Sequence, residues 1–250
     1  MNPARKTSIA AGSLFVIATL AALAAAGVAP ALTGSDYLTG VAEHPQRLAA
    51  AVLLYLIAAG TSMGIAIALY PLLKQTNAAL ALGSVVFRTV EAVFYAVAVV
   101  GLLSVLSLGR QLGTAPADDR AQIHILADSF LSVRDHSSLL GVFAFSTGAL
   151  MYYSEFYRSR LVPRWLSGWG VAGVLLITVA CVLALFSDRP ITGYTFLVLP
   201  IGVQELVLAG WLLVKGFTVP SPSPGVASGS LTTHRGTVAP AEAAALGESA

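Results

Sequence analysis

Residues 79–106 form an apolar run long enough to cross a bilayer as a helix, since a span needs about 20 residues at a rise of about 1.5 Å each. Two charges, Arg88 and Glu91, sit well inside it. A charge at the centre of an inserted helix costs about 2.5–3.5 kcal/mol, so each of them requires a partner. Their positions, three residues apart, fall on nearly one helix face. There they can pair with each other, and the remaining spans must gather around that polar face. This stretch commits the chain to a membrane bundle with an ionic group in its interior.

The rest of the sequence agrees. Of 250 residues, 56% are hydrophobic and only 10% are charged. A soluble domain has about a quarter of its residues charged, so the surface of this chain cannot mostly face water. The apolar runs are continuous, without the alternation over about ten residues that marks a membrane β-barrel, so the fold class is all-α, a polytopic membrane bundle. A formal charge of +2 gives no basis for a nucleic-acid partner. Cys181 is the single cysteine. No intramolecular disulfide can form, and a packing role suits its apolar surroundings.

In chain order, residues 7–29 are read as a retained first span. Ala29-Pro30-Ala31 resembles a signal-peptide cleavage site, but the apolar stretch exceeds the 7–15 residues or so of a signal core. Further spans are expected at residues 48–73, 79–106, 137–153, 166–186 and 194–214, six in all. Between the third and fourth, Ile123, Leu126, Phe130 and Val133 recur at helical steps. That spacing predicts a short amphipathic helix over 119–133, lying on the membrane surface or extending the fourth span. The transmembrane domain covers 1–216. Residues 217–250, rich in Pro, Ser, Gly and Ala, lack apolar groups to bury and are expected to be a disordered tail. Arg158, Arg160 and Arg164 lie close to two span ends, on the side that also holds Arg5, Lys6, Lys74 and Lys215. Tyr152, Tyr153, Tyr157, Trp165, Trp169 and Trp211 gather at the same level, as an interfacial belt would. Both termini are therefore expected on the cytoplasmic side of a cell membrane.

Several short stretches, taken in order, resemble a family of bacterial integral membrane proteins known as domain of unknown function 4386. They are Arg5-Lys6-Thr7 leading into Gly12, Leu69-Tyr70-Pro71-Leu72-Leu73-Lys74, and Phe87-Arg88-Thr89-Val90-Glu91-Ala92. Arg160-Leu161-Val162-Pro163-Arg164-Trp165-Leu166-Ser167-Gly168 is similar as well, and the last span from Glu205 to Gly216 matches best. Where the family tends to have Gly before that acid, this chain has Gln204. The resemblance implies a fold and a location, because the family carries no assigned activity.

Arg88, Glu91 and Glu205 are the candidate binding residues. By helical rise all three lie about 13–18 Å from the same membrane edge. Pro200, five residues before Glu205, removes a backbone hydrogen bond and frees the carbonyl of Phe196. A broken span beside a buried acid is a usual place for a transport site. The three are expected to form one buried cluster between the third and sixth spans. There one cation facing two carboxylates leaves one acid in excess, which is expected to carry a proton. His124, Asp128 and His136 form a candidate metal group, with Asp135 on the same helical face but further along the axis. No G-x-S-x-G, H-E-x-x-H or Gly-rich phosphate loop appears, and no cofactor is expected. Three readings stand. The chain is a small-solute or proton-coupled transporter with a midplane site, or a structural or regulatory membrane protein whose polar group fastens helices. The third is a membrane enzyme using the histidine group. The expected partners are the lipid bilayer and a small molecule or proton.

Overall fold

A computed structural model describes residues 3–187 and 191–218. The elements are helices α1 (Pro3–Val28), α2 (Tyr37–Glu43), α3 (Pro45–Leu73), α4 (Ala78–Leu112), α5 (Ala117–Ser159) and α6 (Arg164–Leu185). A 3-10 turn (Ile191–Tyr194) then leads into α7 (Thr195–Val214). Among the described residues the regular structure is wholly helical, as required where apolar side chains surround backbone groups that have no water to bond. Five helices, α1, α3, α4, α6 and α7, are long and apolar enough to cross a membrane. Their outward faces carry exposed side chains such as Leu23, Leu53, Val100, Leu175 and Leu199, the surface lipid would cover. The protein is a multi-pass integral membrane protein.

Local chemistry sets the helix ends. Asn77 accepts a hydrogen bond from the Leu80 amide and starts α4. Asp118 and Asp119 occupy the first turn of α5, where the helix dipole favours negative charge. Arg160 takes a left-handed conformation (φ 55°) and stops α5, and Pro163 precedes the first residue of α6.

Three expectations need correction or narrowing. The residues expected as a short amphipathic helix, on the membrane surface or extending the fourth span, are the first part of α5. That helix runs unbroken for 43 residues through the expected fourth span, so the extension is the alternative that holds, and no separate helix forms in that loop. No proline interrupts 117–159, so nothing ends the backbone ladder there. α5 is not among the five helices long and apolar enough to span, because charges in its first half and the serines, tyrosines and Glu155 of its second leave no stretch of spanning length sufficiently apolar. The apolar residues of the first half divide between the bundle and the outer surface. Ile123 and Ala127 are buried, whereas Leu126 and Val133 are nearly half exposed. The second correction concerns residues 37–43, expected as loop. They form α2, which buries Tyr37, Leu38 and Val41. Tyr152 and Tyr153 are likewise fully buried in the core and form no interfacial belt, although Tyr157 and Trp165 are exposed. The expected disordered tail lies outside the described residues except for its start. There Phe217 stacks near Phe156 and the Thr218 amide bonds the Leu161 carbonyl.

The long helices pack as a closed ring. α4 packs on α5, α5 on α6, α6 on α7, α7 on α1, α1 on α3, and α3 back on α4. α2 rests on the outside of α4. Two apolar cores fill the ring at different levels. One gathers Phe15, Leu69, Tyr152, Tyr153, Phe156 and Leu208 from α1, α3, α5 and α7, with α6 contributing Val174. The other joins α2, the start of α3, the end of α4 and the start of α5 around Leu38, Leu48, Leu102 and Val105.

Candidate functional site

The ionic group of α4 lies inside this ring. Arg88 is 1% exposed and Glu91 is 3% exposed, so both are removed from lipid and water alike. Arg88 Nη1 donates to Glu91 Oε2 at 3.0 Å, the intrahelical pair that the spacing of three predicts. Ser62 Oγ of α3 donates to the other oxygen, Glu91 Oε1, at 2.9 Å. Both oxygens of Glu91 are thus engaged. The guanidinium also lies 4.6 Å from the ring centre of Phe145 on α5, a cation–π contact. Gly148 of α5 permits that approach. A Cβ there would meet Arg88 Cγ and Phe87 Cβ at 3.2 Å and the Ser84 carbonyl at 3.3 Å.

Glu205 stands on α7, on the far side of a cavity of about 310 Å³. All six long helices contribute to its wall. Arg88, Glu91, Ser62 and Tyr95 lie with Thr19, Tyr55 and Glu205 among the lining residues, and Phe145, Ile177 and Ile201 add apolar surface. The expectation that the three ionisable residues meet between the third and sixth spans needs adjusting. α4 packs on α3 and α5, and α7 packs on α1 and α6, so the acid of α7 faces the pair of α4 through the cavity. Among the described residues Arg88 makes no ion pair with Glu205. Glu205 Oε2 accepts only a long bond from Thr19 Oγ1, 3.4 Å, and Glu205 Oε1 is buried without a partner. Arg88 Nε is buried without one as well.

Tyr55 and Tyr95 line a second, smaller cavity of about 30 Å³ with Leu102, Arg134 and Ser138. The two phenols stand between the main cavity and the Arg134 end of the bundle.

The histidine group is not assembled. Asp128 Oδ1 accepts from the Tyr37 hydroxyl at 2.7 Å, and the His124 ring stands edge-on to Tyr37. Burial, and then that carboxylate, push the Tyr37 phenol above the ordinary tyrosine range. His136 Nδ1 donates to the Ser132 carbonyl at 2.7 Å, and Asp135 pairs with Arg134. Among the described residues no three His, Cys, Asp or Glu side chains gather as a metal site.

Gln204, singled out in the sequence only as a departure from the family pattern, has a clear structural part. The Tyr153 hydroxyl donates to Gln204 Oε1 at 2.6 Å, and Gln204 Nε2 donates to the Leu166 carbonyl at 3.0 Å. This fully buried bridge ties α5, α6 and α7 together one residue away from Glu205. Its partners are too distant in sequence for any local pattern to have announced it.

The family model for a domain of unknown function, DUF4386, matches residues 10–216. The chain belongs to this family. Neither a curated protein nor a solved structure matches it. The DUF4386 region thus takes in all of α2 to α7 and most of α1. Two of the stretches that carried the resemblance meet in space. Arg5 Nη2 and Ser8 Oγ of α1 donate to the carbonyls of Leu213 and Leu212 at the end of α7, at 2.7 and 2.6 Å. These bonds satisfy acceptors that a helix C-terminus leaves open. Gly12 lets α1 and α7 touch, since a Cβ there would lie 2.9 Å from Leu213 Cγ and 3.2 Å from the Ala209 carbonyl.

Proposed function

We propose that the chain is a small-solute transporter, proton-coupled in one form of this reading, with the ring cavity as its binding site. Arg88, Glu91 and Glu205 are the binding residues. The observation that carries the reading is the cavity itself, about 310 Å³, walled by all six long helices and holding the ionisable residues of α4 and α7. Its size falls at the low end of small-molecule pockets, about 300–1,000 Å³. Ionisable groups are costly at this depth and are typically kept along solute or proton paths. Pro200 in α7, five residues before Glu205, leaves the Phe196 carbonyl without its helical donor, a local break of the kind found at transport sites. In this reading the second half of α5 is the sixth crossing and its first half projects beyond the bilayer. Both termini lie on the cytoplasmic side, marked by Arg158, Arg160 and Arg164.

The structural reading has one observation in its favour. The chain from Ser62 through Glu91 to Arg88 is satisfied enough to act as a fastening between α3 and α4. It does not extend to Glu205, which is held by one long bond and fastens little. No assembled group supports the enzyme reading.

Uptake into vesicles tests the proposal. Purified protein in lipid vesicles is offered a mixture of small solutes, and the vesicle contents are identified by mass spectrometry. Gly202 lines the cavity, and a Cβ built on it meets nothing within 4 Å, so Gly202→Phe puts a ring into that space without a clash at its root. Wild-type vesicles should import at least one solute, and Gly202→Phe vesicles should fall to the protein-free level while the variant still melts cooperatively. Identical contents in wild-type, Gly202→Phe and protein-free vesicles would overturn the reading. Reporter fusions after Lys74, Arg120 and Arg160 test the topology, and a cytoplasmic signal from the Arg120 fusion contradicts it.

A further inference from the structure

We infer that the solute is a lipophilic organic monocation, an amine with an apolar body, whose ammonium group binds Glu205. This rests on the transport reading of the cavity and names its substrate class.

Charge is the first argument. Arg88 and Glu91 neutralise each other at 3.0 Å, and Ser62 completes the second oxygen of Glu91. Glu205 is then the one formal charge in the cavity wall with no counter-ion within bonding distance. Its Oε1 is buried without any hydrogen bond, and its Oε2 has only the 3.4 Å bond from Thr19. An acceptor in that state costs free energy until a donor reaches it, and a cationic donor repays most. An anion would face the opposite situation. Even at the free Nε of Arg88 it would be opposed by Glu91, 3.0 Å from Nη1 of the same guanidinium, and by Glu205 in the same wall.

The wall chooses the kind of cation. Apart from the three ionisable residues, the aromatic rings and a few hydroxyls, it is built mainly of alanine and branched aliphatic side chains, including Ala22, Ala58, Val198 and Ile201. A hard metal cation such as calcium takes about six to eight oxygen ligands. With Glu91 and Ser62 already bonded, this wall offers only the two Glu205 oxygens and three scattered hydroxyls. An apolar body attached to an ammonium group buries its carbon surface against those side chains and presents one charge. The rings of Tyr55 and Tyr95 also line the space, and aromatic rings attract alkylammonium groups through their faces. Phe145 is already taken by Arg88.

Three probes of one shape separate the possibilities. They are 2-phenylethylammonium, its neutral counterpart 2-phenylethanol, and zwitterionic phenylalanine. Binding to the purified full-length protein in detergent is measured by calorimetry. The ammonium should bind at least tenfold more tightly than the alcohol or the amino acid. Glu205→Gln should weaken the ammonium by about tenfold or more and leave the alcohol unchanged. Glu205→Asp, which keeps the charge, should retain the preference and serves if Glu205→Gln does not fold. Equal affinity for ammonium and alcohol, tighter binding of phenylalanine, or no binding of the ammonium at millimolar concentration each overturns the cation class. The vesicle assay keeps the two readings apart. A neutral or anionic solute imported by wild type and blocked by Gly202→Phe sinks the cation while leaving the transport site in place.

Discussion

Removing Arg88 should expose how much of the bundle depends on a balanced charge rather than on packing. In Arg88→Leu the apolar stem is roughly replaced, and the site beside Gly148 and Phe145 stays filled. What disappears is the 3.0 Å partner of Glu91, a residue only 3% exposed, which is then left with Ser62 alone. Stranding one member of a buried pair costs about 3–5 kcal/mol, of the order of a typical domain's whole stability. The double variant Arg88→Leu/Glu91→Gln removes the stranded charge, and the amide oxygen still accepts from Ser62. It should recover all but about 1–2 kcal/mol of the loss. The coupling between the two sites is therefore expected to exceed about 2 kcal/mol, well beyond the additive limit for independent positions. Equilibrium unfolding in mixed micelles titrated with dodecyl sulfate, followed by fluorescence of Trp165, Trp169 and Trp211, measures it. A loss under about 1 kcal/mol for Arg88→Leu, or a double variant no more stable than the single, would refute the charge argument.

The remaining predictions use the same measurement unless stated. Glu205→Gln should change stability by less than about 1 kcal/mol, because it disturbs a single long hydrogen bond, and a larger loss would make Glu205 a fastening after all. Gly170→Ala should cost about 1–3 kcal/mol, since the new methyl would fall within the Tyr153 ring, which Gln204 holds in place. Tyr153→Phe in the same background should relieve part of that cost if the tether is the cause. Arg5→Ala should cost about 1 kcal/mol by uncovering the last carbonyls of α7. The Tyr37 phenol is pushed up in the folded protein by burial and by Asp128. Its contribution to stability is therefore complete below the ordinary tyrosine range and is lost as pH rises through the folded value. Phenolate absorbance during alkaline titration should show a late component, and Tyr37→Phe should reduce it by one tyrosine.

The sequence alone determined the membrane class, because apolar runs of twenty or more residues with so few charges have no other stable solvent. It also placed the ends of α1, α3, α6 and α7 within about four residues, since Pro163 and the basic ends act locally, whereas α4 runs on to Leu112, past its expected end at 106. The Arg88–Glu91 pair was legible for the same reason, being a contact within one turn of one helix. Tertiary structure decided the rest. Whether residues 117–133 lie apart or extend the fourth span was open in the sequence, and α2, itself invisible as a loop-length segment, meets that half of α5 through Tyr37. That Glu205 faces the α4 pair through a cavity, and does not touch it, follows from ring closure by α1, α3 and α6. The Tyr153–Gln204–Leu166 bridge and the capping of α7 by Arg5 join residues separated by as many as 208 positions. A helix's own periodicity reports which face is apolar. It cannot report which neighbour that face will meet, and in this bundle the neighbours make the site.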